Sequence, residues 1–323
     1  MKALVTGVAG FIGSHLAEEL IKRGDSVIGI DSFTDYYPRQ MKEKNIARLR
    51  EEKSFSFIQA DILETDLSKI LSQVDCCFHQ AAQAGVRKSW GEEFEIYVRC
   101  NILATQRLLE EAVKSKLARF VFASSSSVYG TVDILPAREE TLPNPLSPYG
   151  TTKLCAENLV SLYQKNYGLS SVSLRYFTVF GPRQRPDMAF HRFIKAGLRG
   201  EEIEIYGQGK QTRDFTFVLD IVSANILAAE SNVCGAFNIG GGYRITLLEA
   251  VKEIEKAIGK PLKIKMTSEQ KGDVQDTLAD ITKAKKELFW SPEYDLATGL
   301  SLEVDEIHTE NKLIMANQNL IFA

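Results

Sequence analysis

Lys2-Ala3-Leu4-Val5-Thr6-Gly7-Val8-Ala9-Gly10-Phe11-Ile12-Gly13 opens the chain after its first methionine. Residues 2 to 6 read as a short apolar strand, glycines follow at 7, 10 and 13, and an amphipathic run extends from Phe11 to Arg23. Strand, glycine turn and helix in that order predict the start of a dinucleotide-binding fold. The glycines permit a tight turn, close approach of backbone to a pyrophosphate and close helix packing, and the helix N-terminus favours the negative charge. Their spacing is G-x-x-G-x-x-G, whereas G-x-G-x-x-G is commoner. A second strand, Ser26 to Ile30, ends in Asp31, whose carboxylate can accept the adenosine ribose hydroxyls and repel a 2′-phosphate. NAD is therefore expected over NADP. Turn glycines beside a solvated acid would leave the order of strand, glycines, helix and acid unexplained.

Outward from this stretch, Ser54 to Gln59, Val74 to His79, Arg119 to Ser124 and Ser171 to Arg175 are short and apolar, with helical stretches between them. Such alternation implies an α/β fold with a doubly wound parallel sheet. Ligands of such sheets sit at the carboxyl ends of the strands. Asp61, Ala81 to Arg87, Ser124 to Ser127 and Thr178 to Arg185 follow those ends, so they are expected to converge on one crevice. After Phe180 the elements shorten and Gly181-Pro182, Gly207, Gly209 and Gly240-Gly241-Gly242 punctuate them. The expected organisation is an NAD-binding Rossmann domain over 1–177 and a smaller mixed α/β substrate domain over 178–323. Segments near 213–239, namely Arg213 to Phe217 and Ala236 to Ile239, are expected to return to the first domain as added strands.

Composition narrows the class. Apolar residues make up 44% and charged residues 25% of 323, as in ordinary globular proteins. A net charge of -3 gives no global basic character, so nucleic acid is not an expected partner. Lys42, Lys44, Arg48 and Arg50 read as a solvated helix face. Five cysteines, Cys76, Cys77, Cys100, Cys155 and Cys234, lack C-x-x-C spacing, against a disulfide framework or a zinc site. No metal is expected. The first strand begins at residue 2 and no apolar run has membrane-spanning length, so the expected location is the cytoplasm.

The chemistry is concentrated at Tyr149-Gly150-Thr151-Thr152-Lys153, where a phenol and an ammonium four residues apart share one face of a helix that starts nearby. A free tyrosine has a pKa of about 10, so a base near neutrality needs a value about 3 lower, or about 4 kcal/mol of preference for the phenolate. One ammonium at about 6 Å, with an effective dielectric of about 20, supplies on the order of 3 kcal/mol. A second positive charge, such as an oxidised nicotinamide, could supply the rest. The run Ser124-Ser125-Ser126-Ser127-Val128-Tyr129-Gly130 puts hydroxyls at the mouth of the sheet, where one could bridge a sugar hydroxyl and Tyr149; each is equally readable as a polar turn residue. Asn101, on a helix expected from Phe94 to Val113, reads either as a buried amide supporting Lys153 or as a packed helix residue.

These residues together resemble the extended short-chain dehydrogenase/reductase family, and within it the nucleotide-sugar epimerases. The resemblance rests on Thr6 to Gly13, Asp31, Asp61-Ile62, Ala81-Ala82, the serine run with Val128-Tyr129-Gly130, Tyr149 to Lys153 and Arg213-Asp214-Phe215. It implies that Tyr149, Lys153 and Ser125 are catalytic: base, lysine on the nicotinamide ribose, and assisting hydroxyl. It implies NAD held by Gly7, Gly10, Phe11, Ile12, Gly13, Asp31, Asp61, Ile62, Ala81, Ala82, Ser124, Tyr149 and Lys153. Arg213 would hold a nucleotide diphosphate through charge-assisted hydrogen bonds. Asp273 matches a carboxylate on the uridine ribose, although Gln270 and Lys271 stand where many relatives have an arginine. A homodimer through helices Phe94 to Val113 and Tyr149 to Tyr167 is a further family expectation.

Ala81 to Arg87 and Thr178 to Met188 are similar to the corresponding stretches of UDP-glucuronate 4-epimerases. Related UDP-hexose 4-epimerases commonly have asparagine where Thr178 stands. The resemblance thus implies a UDP-sugar substrate contacted by Arg87, Ser125, Ser126, Ser127, Thr178, Arg185, Met188, Arg213 and Asp273, with Ser126, Ser127 and Thr178 able to bond a substrate carboxylate near Arg185. The implied reaction removes hydride from the sugar C4 as Tyr149 takes the 4-hydroxyl proton, turns the 4-keto sugar over, and returns hydride to its other face. For a uronic acid that ketone is a β-keto acid, so loss of CO₂ competes. Family decarboxylases and 4,6-dehydratases usually carry glutamate just before Val-Tyr-Gly, where this chain has Ser127. The alternatives are a 4-epimerase of neutral UDP-sugars such as UDP-glucose or UDP-N-acetylglucosamine, a UDP-glucuronate decarboxylase, and a non-catalytic NAD-binding protein.

Overall fold

Seven strands form the central sheet: Lys2–Thr6 (β1), Ser26–Asp31 (β2), Phe55–Gln59 (β3), Cys76–His79 (β4), Arg119–Ser125 (β5), Ser171–Tyr176 (β6) and Gly235–Ile239 (β7). The computed structural model describes residues 1–268, 272 and 274–321, with side chains as far as residue 312. The strand order is β7-β6-β5-β4-β1-β2-β3, and every pairing is parallel. All residues of β4, β5 and β6 are buried, as strands covered by helices on both faces must be.

Alternation along each strand sends side chains to two cores. Leu4, Cys77, Phe120 and Phe122 pack on one face with Leu108, Leu109, Ala156 and Val160 from helices Ala104–Lys114 and Pro148–Tyr167. Val5, Phe78, Val121 and Leu174 pack on the other with Leu16, Leu20, Ile221 and Ala224 from helices Phe11–Lys22 and Val218–Glu230. Strand order reverses between β1 and β4, so the loops after these two strands border the crevice in which doubly wound sheets bind ligands.

Beyond β6 the pairings are short. Thr178–Phe180 lies parallel to Phe215–Phe217, Thr212–Arg213 antiparallel to Ile245–Thr246, and Glu202–Tyr206 parallel to Lys263–Thr267. Gly235–Ile239 joins the central sheet beside β6. Arg213 to Phe217 does not, contrary to the sequence reading. Asp214 divides that segment: its carboxylate accepts the amides of Gly241 at 2.6 Å and Ala279 at 3.0 Å, and the chain on either side pairs with different neighbours. Phe180, Phe190, Phe215 and Phe217 fill this region, and their core is continuous with that under β1.

Candidate active site

Ser147 and Pro148 start the helix Pro148–Tyr167. The Ser147 hydroxyl accepts the Gly150 amide at 3.1 Å and Pro148 occupies the first turn, where a missing N–H costs nothing. Tyr149 and Lys153 therefore leave the first two turns on one face, against the ends of β4 and β5. One cavity is lined by Gly7 and Gly10 to Gly13, by Asp31, by Asp61, Ile62, Ala81 and Ala82, and by Ser124, Tyr149, Lys153, Tyr176 and Arg185. All thirteen residues expected at the cofactor are thus brought together.

The chain fits a dinucleotide at this cavity. Gly7 has φ +67°, and a Cβ there would lie 2.7 Å from the Ala81 Cα; at Gly13 it would lie 2.2 Å from the Gly7 carbonyl oxygen. No larger residue could keep the helix this close to the strand. Helix Phe11–Lys22 has no side-chain cap, which leaves its first amides to the cavity. Asp31 accepts the Ala9 amide at 3.0 Å and the Phe33 amide at 2.8 Å, and burial pushes its pKa up against those bonds and the charge of Lys42. Lys42 corrects the sequence reading: it is 4% exposed, lines the cavity beside Asp31, and stands 4.6 Å from the Tyr37 ring centroid. Gln83, within the expected Ala81 to Arg87 stretch, also lines the cavity, as do Ser32, Thr34, Tyr36, Gln80, Arg99 and Cys100, which no spacing signal marks as site residues. The packing of the segment after β2, of the loop after β4 and of the helical turns over Phe94–Tyr97 and Val98–Leu103 brings them there.

Burial raises the pKa of Tyr149, while the neighbouring Ser125 hydroxyl and the charge of Arg185 pull it down. The Lys153 ammonium is 2% exposed and sits 4.4 Å over the Phe122 ring, and burial lowers its own pKa to about 7 against the opposing charge of Glu157.

Asn101 resolves as a buried amide. It accepts the Gln83 amide at 2.8 Å and donates to the Gln83 carbonyl at 3.0 Å and the Thr152 hydroxyl at 2.9 Å, tying the loop after β4 to the residue before Lys153. The expected continuous helix is interrupted here by a wide π turn over Val98–Leu103, between Phe94–Tyr97 and Ala104–Lys114. Such bulges commonly carry functional residues.

The residues expected at substrate are more dispersed. Ser125 also accepts the Ser127 amide at 3.1 Å, starting the turn Ser126–Val128. Thr178 begins the strand that continues from β6. Arg185 lines the cavity but is held by Asp187 in a two-point pair, both contacts at 3.0 Å; Tyr36 donates to that carboxylate at 3.2 Å. Met188 precedes helix Ala189–Arg199, its amide bonded to the Arg185 carbonyl at 3.1 Å. Arg87 lies 4.4 Å over the Tyr206 ring, and Arg213 donates to the carbonyls of Thr212 at 2.9 Å and Gln275 at 3.1 Å. Neither Arg87, Ser125 to Ser127, Thr178, Met188 nor Arg213 lines the cavity. Asp273, Gln270 and Lys271 lie outside the described residues. All five cysteines are free thiols, and among the described residues no cluster could hold a metal and no helix is long and apolar enough to cross a membrane.

A glycine cradle, an acid at the end of β2 and a buried tyrosine–lysine pair in one cavity define a dinucleotide-dependent enzyme site. Residues 3–240 match the model of the NAD dependent epimerase/dehydratase family, and the chain belongs to that family. A solved UDP-glucuronic acid 4-epimerase from Bacillus cereus, bound to UDP-glucuronic acid and NAD, superposes with a TM-score of 0.93 at 46% identity, covering 96% of this chain and 99% of that one. A UDP-glucuronate 4-epimerase of Thermodesulfobacterium geofontis (strain OPF15) is 39% identical over 94% of each chain. A Bacillus subtilis (strain 168) protein described as an uncharacterized UDP-glucose epimerase, YtcB, is 46% identical over 94% of this chain and 97% of its own.

Proposed function

We propose that the protein is an NAD-dependent isomerase that converts UDP-glucuronate to UDP-galacturonate through a 4-keto intermediate. The carrying observation is that Tyr149, Lys153 and Arg185 line the same cavity as Asp31 and the glycines. Bound NAD supplies the acceptor and then the donor of the C4 hydride, with no net consumption. Tyr149 takes the proton of the 4-hydroxyl and returns it to the inverted alcohol, and Ser125 shares that hydrogen bond. Lys153 binds the nicotinamide ribose. Ser126, Ser127, Thr178 and Arg185 hold the substrate carboxylate near the sugar plane, which keeps the C5–C6 bond poorly aligned with the C4 carbonyl π system and suppresses loss of CO₂. Arg87, Met188, Arg213 and Asp273 serve the nucleotide and diphosphate.

Residues 1–177 act mainly on the cofactor and 178–323 mainly on the sugar nucleotide. The working form is a cytoplasmic homodimer; Leu103, Leu162 and Tyr167, exposed on the two helices expected at its interface, support this. A second reading is a 4-epimerase of neutral UDP-sugars. Two observations favour it: Asp187 already neutralises Arg185, and one relative is described as a UDP-glucose epimerase. An NMR product assay with NAD and either UDP-glucuronate or UDP-glucose separates them. The acid alone is expected to react, giving UDP-galacturonate without UDP-pentose. Conversion of UDP-glucose alone would overturn the uronate assignment.

A further inference from the structure

Behind the Tyr149–Lys153 pair lies a buried ion pair that takes no part in the steps above. Glu157, one helical turn beyond Lys153, is 7% exposed, and Arg175 on β6 is 5% exposed. The Arg175 guanidinium reaches Glu157 Oε1 at 2.6 Å from Nη2 and Oε2 at 3.1 Å from Nε. Ser124 Oγ donates to Glu157 Oε2 at 2.5 Å, and Arg175 Nη1 donates to the Tyr129 hydroxyl at 2.7 Å. Ser124 and Tyr129 bracket Ser125, Ser126 and Ser127. Both ends of the serine segment are therefore fastened to one ion pair, whose two halves sit on the helix of Tyr149 and Lys153 and on the strand that leads to Thr178.

We propose that Glu157 and Arg175 are positioning residues that fix the register of the serine segment against Tyr149 and Thr178, and that this register keeps the 4-keto uronate from losing CO₂. The inference rests on the proposed reaction. A buried ion pair adds little net stability over apolar residues of similar size, whereas its charge-assisted, two-point bonds are strongly directional. Register is the property an apolar pair could not supply. Carbon dioxide leaves when the C5–C6 bond breaks and its electron pair moves into the C4 carbonyl as an enolate; a proton from solvent at C5 and return of the hydride taken in the first step then give UDP-pentose, so a shifted carboxylate exposes this path.

Glu157→Gln keeps the size and removes the charge; Tyr129→Phe removes only the hydroxyl at the far end of the segment. Each is compared with wild type for kcat, NAD affinity, cooperative melting and the ratio of UDP-pentose to UDP-galacturonate. The expected result for Glu157→Gln is a kcat lower by about 10-fold or more, a rise in the UDP-pentose fraction and NAD affinity within about twofold, since small displacements in a positioned site are costly. Tyr129→Phe should move the product ratio the same way by less, and it decides the question if Glu157→Gln does not fold. An unchanged product ratio in folded variants overturns the proposal, even if kcat and NAD affinity fall together. Failure of wild type to turn over UDP-glucuronate overturns instead the substrate reading beneath it.

Discussion

At the scale of one residue, the proposed base Tyr149 is surrounded by groups that its neighbours in sequence do not announce. A tyrosine and lysine four apart make a plausible acid–base pair on any helix. In the folded chain the phenol is raised by burial and lowered by Ser125 and Arg185, which come from separate strands and loops. Loss of the hydroxyl alone should remove proton transfer and leave the cradle of Gly7, Gly10 and Gly13 intact. Tyr149→Phe is therefore expected to lower kcat by at least about 100-fold, in line with the loss of a positioned general base, with NAD binding preserved by titration; substantial residual turnover would remove Tyr149 from the role of base. The residue identities at this point were legible from sequence, as were Asp31 and the glycines. Lys42 was not, because its burial depends on how the segment after β2 folds back beside Asp31.

At the scale of elements, β1, β4 and the helix Ala104–Lys114 are joined by His79. Its Nδ1 lies 2.8 Å from Thr6 Oγ1 and its Nε2 3.0 Å from Thr105 Oγ1. Thr105 spends its proton on the Asn101 carbonyl at 2.7 Å, so Nε2 carries the ring hydrogen and Nδ1 accepts from Thr6. Burial, aided by the charge of Lys153, lowers the pKa of His79 to about 3. Below about 6.5 the unfolded chain binds a proton that the folded chain does not, so this histidine costs about 1.4 kcal/mol of stability per pH unit as pH falls from 6.5 toward 3. Melting followed at pH 7 and pH 5 should show the loss, and His79→Gln should reduce the difference; an equal slope in the variant would acquit His79. Strand positions followed from apolar runs within a residue or two. The π turn at Val98–Leu103 was not legible, since no residue type marks the extra residue of a wide turn.

For the whole molecule, the cavity gathers residues from Gly7 to Arg185, so a ligand that fills it binds the folded chain and not the unfolded one. NAD at about 100 times its Kd should add about 2.7 kcal/mol to the unfolding free energy, read as a higher melting temperature, with NADP giving a smaller rise. Asp31→Ala should narrow the gap between the two cofactors; an unchanged gap would mean that Asp31 does not discriminate the 2′-phosphate. The loop before Arg185 is braced by the helix Leu296–Ile321: Glu303 accepts the Gly181 amide at 3.0 Å, and Glu306 that of Arg183. Those bonds hold the loop that delivers Arg185, and no local pattern at residues 303 or 306 announces them.

The sequence by itself determined the periodic strands and helices, the glycine cradle, Asp31, and the Tyr149–Lys153 face, because these depend on residue types at short, fixed spacings. Only the tertiary structure decided what surrounds them: Arg185 paired with Asp187, Lys42 beside Asp31, Asn101 between Gln83 and Thr152, and Glu157 with Arg175 beneath the serines. Apart from the local Arg185–Asp187 pair, these join groups from segments separated along the chain, and their burial and charge neighbours arise only when the fold brings those segments together.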